Sequence, residues 1–68
     1  MKKTTRHVFA VVRVDLEARE WLDKVTVKEI VITQQEAESE VERLRRLNAE
    51  KGCEYFWQLT RFVDPENV

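Results

Sequence analysis

The sequence predicts an α+β domain of order ββαβ: a three-stranded, mainly antiparallel sheet (strand order 2-1-3) with one helix on one face. Three observations lead there. Residues 7–16 and 24–33 are rich in β-branched side chains at strand spacing. Residues 33–48 repeat apolar side chains at helical spacing behind a capping signal. Residues 53–63 carry three consecutive aromatics, Tyr55, Phe56 and Trp57, in a strand whose neighbours point to opposite faces.

The first strand, "HVFAVVRVDL", puts Val8, Ala10, Val12, Val14 and Leu16 on one side and His7, Phe9, Val11, Arg13 and Asp15 on the other. One wholly apolar side and one half-apolar side suit a central strand. The following "EAREWLD" holds helix formers but is too short for a helix that stands alone. It reads as a loop, with Trp21 and Leu22 folding back over the core edge. In the second strand, "KVTVKEIVIT", the period slips: Val25 and Val27 take one parity, Ile30 and Ile32 the other. Either a β-bulge near Lys28–Glu29 restores the register, or Ile30 and Ile32 face outward.

Thr33 and Glu36 form a capping box at the helix start, and Ala37, Val41, Leu44, Leu47 and Asn48 make its stripe. Glu36, Glu38, Glu40 and Glu42 crowd the first half, and Arg43, Arg45, Arg46 and Lys51 the second, as the helix dipole favours. Gly52 falls where a left-handed residue would close the helix. The third strand, about 53–63, follows at once. The ends, "MKKTTR" and "DPENV", are polar and read as frayed, with Pro65 disfavouring a helix or a central strand.

One helix covers only one sheet face. The expected covered face holds Val8, Ala10, Val12, Val14, Val25, Val27, Cys53, Tyr55, Trp57 and Leu59 beneath the helix. The expected open face holds Phe9, Val11, Phe56 and Phe62, joined by Ile30 and Ile32 if no bulge intervenes. These six form the expected interface.

Composition narrows the function. A chain of 68 residues makes one domain, residues 1–68, with a core small enough to need reinforcement. One Cys excludes an internal disulfide, and one His beside it makes a poor metal set, so neither metal nor cofactor is expected. Association with a second copy is the remaining remedy, which makes a homodimer the expected partner state. Twelve basic and thirteen acidic side chains nearly cancel, unlike a dedicated binder of nucleic acid or membrane. "MKKTTRHVFAVV" opens as a signal peptide does, but Arg13 and Asp15 interrupt the apolar run, so a cytoplasmic location is expected. No nucleotide-loop, zinc-protease or paired-cysteine pattern is present, and His7 and Cys53 are expected on opposite faces, so no enzyme is predicted.

The alternative reading is a single-stranded nucleic-acid binder. Phe9 and Phe56 would stack bases, with Arg13, Lys28 and Arg61 taking phosphates. The same apolar face could also take a different protein partner.

A strand running into T-x-x-E-A-x-x-E-V-x-R-L at Thr33–Leu44, followed by Y-F-W-Q at Tyr55–Gln58, resembles small uncharacterised bacterial ββαβ proteins. The resemblance covers about residues 7–63. It implies the fold and carries no activity, cofactor or catalytic residue.

Overall fold

A computed structural model describes residues 3–65, in the order β1 (Lys3–Asp15), α1 (Trp21–Lys24), β2 (Val25–Val31), α2 (Gln34–Leu47) and β3 (Cys53–Pro65). β1 is central and antiparallel to both neighbours, in strand order β2-β1-β3. The α+β class and the sheet order agree with the sequence reading, and the chain adds the one-turn helix α1 where a loop was expected. The frayed ends expected at residues 1–2 and 66–68 lie outside the described residues.

The β1–β3 ladder runs from Lys3↔Pro65 to Asp15↔Cys53. Residues 3–6, Asp64 and Pro65 therefore belong to strands, not to frayed ends; a proline is tolerated at the end of an edge strand. β2 pairs with β1 only over Phe9–Val14. Beyond it, β1 and β3 continue as a two-stranded arm, with no third strand beside it among the described residues. The arm stretches the Cα frame to 48 × 29 × 14 Å, with a radius of gyration of 14.5 Å. A compact chain of this length would have about 11 Å.

The capping box forms as the sequence requires. Thr33 Oγ1 accepts from the Glu36 N–H at 3.1 Å, and Glu36 Oε1 accepts from the Thr33 N–H at 3.0 Å. At the other end the Asn48 N–H and Nδ2 both donate to the Leu44 carbonyl, at 3.0 and 2.8 Å. Asn48 thus ends the helix, and Gly52 does not close it in a left-handed turn. Gly52 instead extends the sheet, its carbonyl accepting from the Leu16 N–H at 2.8 Å.

Register decides which side chains meet the helix. Val11 pairs with Trp57 and Val12 with Phe56, so like parities of β1 and β3 share a face. The helix covers the odd set: Val11, Val41 and Tyr55 form the core, flanked by Leu44, Cys53 and Trp57. This reverses the expectation for β1. Val8, Ala10, Val12 and Val14 lie on the face without the helix, because a one-residue change of register exchanges the two sides of a strand. The bulge does form: Glu29 opposes Val11 and Val27 opposes Val12, leaving Lys28 unpaired. Val25, Val27 and Ile30 thereby come to the same helix-free face, not beneath the helix. Leu47 and Leu59 are exposed, beyond the patch that α2 reaches. Trp21 and Leu22 are exposed too, because a single helical turn between adjacent strands stays at the end of the sheet and cannot reach back to the core.

Candidate interaction face

The helix-free face is built by alternation. From β1 come Val8, Ala10 and Val12, which have no helix above them and are nonetheless buried by side chains of the flanking strands. Ile30 and Ile32 from the β2 side are 52% and 60% exposed; Phe56 and Phe62 from β3 are 39% and 44% exposed. Val25 and Val27 complete the β2 flank, both exposed. The result is a floor of small side chains walled by larger ones. Towards the arm it narrows to a shallow depression lined by Arg6, Val8, Ile30, Ile32 and Phe62. There the Arg6 guanidinium sits 5.4 Å from the centre of the Phe62 ring, an attractive cation–π distance.

Of the six expected interface residues, Ile30, Ile32, Phe56 and Phe62 come together here. Phe9 and Val11 do not. Val11 is fully buried beneath α2, and Phe9 packs edge-to-face on Trp57 with ring centres 5.5 Å apart. The nucleic-acid set is likewise divided: Phe9 and Phe56 occupy opposite faces. Arg13 pairs with Tyr55 on the helix side and stands 3.9 Å from Asp15. Arg61 pairs with His7, and Lys28 occupies the bulge. His7 and Cys53 have the same parity, contrary to expectation, but His7 pairs with Arg61 and Cys53 with Asp15. Eight strand positions separate them, about 27 Å.

One polar cluster was not visible in the sequence. Arg43 Nε and Nη2 donate to Glu40 at 2.6 and 2.7 Å, which holds the Glu40 carboxyl below its ordinary range. Glu29, on β2 beside it, is pushed upward by partial burial and by its hydrogen bond with Glu40. The only sequence signal was the Glu40–Arg43 spacing; the bulge and the crossover bring Glu29 into place. Nearby, Arg45 Nε and Nη2 donate to the Tyr55 carbonyl at 3.2 and 2.9 Å, occupying a backbone acceptor of the edge strand β3. Burial raises the Tyr55 hydroxyl, with a further contribution from Cys53.

Among the described residues no helix is long and apolar enough to cross a membrane, and no cluster of His, Cys, Asp or Glu is arranged to hold a metal ion. No protein-family model matches the chain, and no curated protein or solved structure matches it with significance.

Proposed function

We propose that this chain is a small, non-enzymatic interaction module that self-associates through the helix-free face of its sheet. The observation that carries this reading is an inversion: the more apolar of the two faces is the one without the helix. α2 fully buries only Ala37 and Val41 of its own side chains, and so covers a narrow patch. The wider array of Val, Ile and Phe remains open.

Strands lie about 4.8 Å apart and same-face residues about 6.8 Å apart, so the open face measures roughly 450 Å². Lone proteins carry apolar patches of at most about 300–600 Å². Stacking two such faces removes on the order of 1,000 Å² from water, where specific interfaces begin. Val25, Val27, Ile30, Ile32, Phe56 and Phe62 are each about half exposed. Covering the exposed half is worth about 1 kcal/mol for each. Over both copies this gives about 12 kcal/mol, against an association cost of about 4–15 kcal/mol. The lower end of that cost leaves affinity near micromolar. A second copy is the occupant always at hand, and two-fold dimers are the commonest assemblies. The extended monomer, with its unsupported arm, gains most from a second layer. We place the module in the cytoplasm, where the lone thiol of Cys53 would stay reduced.

Sedimentation equilibrium over about 1–100 µM tests the reading. The expected mass rises with concentration from 8.2 kDa towards twice that value. A constant 8.2 kDa over the whole range overturns it.

A further inference from the structure

Two charges of opposite sign mark the two ends of the open face. Arg6 stands at the arm end, paired with Phe62; Glu54 stands at the other end, paired with Val14. The Ala10–Gln58 pair lies midway, four positions from each, about 14 Å either way. We infer that the second copy docks with its strands antiparallel to the first, about a two-fold axis passing over Ala10–Gln58, so that Arg6 of each chain meets Glu54 of the other. The inference rests on the self-association reading and adds its geometry.

Three two-fold arrangements are open to a sheet. With the axis along the strands, like ends stack, and the two Arg6 side chains gather at one end while the two Glu54 side chains gather at the other. With the axis normal to the sheet, the copies join edge to edge and leave the apolar face uncovered; Arg45 already occupies the Tyr55 carbonyl on the β3 edge. With the axis across the strands, opposite charges meet at both ends of one interface. The cation–π contact favours this third arrangement. It draws the Arg6 guanidinium from β1 over the Phe62 ring, which is the lane along β3 that Glu54 of the second copy would occupy. Ala10, beneath the axis, offers no bulk where the two sheets cross, and sheets so packed cross at about −30°. The same arrangement carries each two-stranded arm over the far end of its partner. Leu16, Trp21 and Leu22 are exposed at that end.

The test is a charge-reversal cycle read by sedimentation equilibrium, with circular dichroism confirming that each variant is folded. Arg6→Glu alone and Glu54→Arg alone each set two like-charged pairs in the homodimer, and each should weaken it about thirtyfold. An equimolar mixture of the two single variants pairs opposite charges at both ends and should restore dimer close to the wild-type level. The double variant Arg6→Glu/Glu54→Arg should also recover. If the wild type dimerises and the mixture fails to recover, or the single variants dimerise as the wild type does, the antiparallel arrangement is wrong while self-association stands. A monomeric wild type overturns both.

Discussion

Replacing Phe56 by glutamate tests the open face most directly. Phe56 is 39% exposed and lies on β3 beside its cross-strand partner Val12. Full burial of a phenylalanine is worth about 3 kcal/mol, so docking would add about 1 kcal/mol for each copy. Two-fold symmetry doubles this to about 2 kcal/mol. Each glutamate must also leave water or force the sheets apart, a penalty of several kcal/mol for a charge in a closed interface. A total loss of at least about 4 kcal/mol weakens the dimer about a thousandfold. The folded monomer loses the part of that side chain already buried within it, about 2 kcal/mol. In sedimentation equilibrium up to about 100 µM the variant should stay at 8.2 kDa while the wild type does not. Its thermal midpoint should also lose the concentration dependence expected of a dimer. A variant that dimerises like the wild type would refute the use of this face.

Other changes probe the helix side and the caps. Val41→Ala removes part of the small core and should cost about 2 kcal/mol, or roughly 10 °C in a thermal melt by circular dichroism; a shift below 2 °C would mean that the helix packs elsewhere. Thr33→Ala removes the hydroxyl that caps α2 and should cost about 1 kcal/mol in urea unfolding at pH 7. Glu29→Gln bears on the carboxyl cluster. The folded Glu29 carboxyl lies above its ordinary 4.5, so its contribution to stability is full below that value and is lost as pH rises through the raised value. The glutamine variant should therefore melt higher than the wild type at pH 7 and match it near pH 4. An equal gain at both would show that the carboxyl pair is not the cause.

The elements and sheet order were legible because each had a local signal. Alternation marked the strands, the Thr33–Glu36 box opened the helix, and the apolar content of β1 placed it centrally. The facing of β1 was not legible. Both of its sides are apolar at Val11 and Val12, so alternation cannot say which side meets the helix; only the Val11↔Trp57 pairing does. Two of the six expected interface residues moved for that reason, Phe9 and Val11 going to the helix side while Val8 and Ala10 came to the open side. The period slip at Lys28–Glu29 was visible as a slip, but either resolution suited the letters. The Glu29–Glu40–Arg43 cluster depends on that resolution and on the crossover of α2, which no local pattern encodes. Trp21 was misplaced because seven connecting residues were granted more reach than one helical turn has.

Lys28 is a surplus residue that β2 absorbs by kinking. Flatten the kink while keeping the length, and the valines and isoleucines of the strand part company, two to each surface, so neither surface keeps a continuous oily strip along that flank. Delete Lys28 instead, and V-T-V-E-I-V-I alternates without interruption, so all four stay on one surface with no kink needed. Tolerance at this position should therefore be broad for identity and extend to the loss of the residue itself.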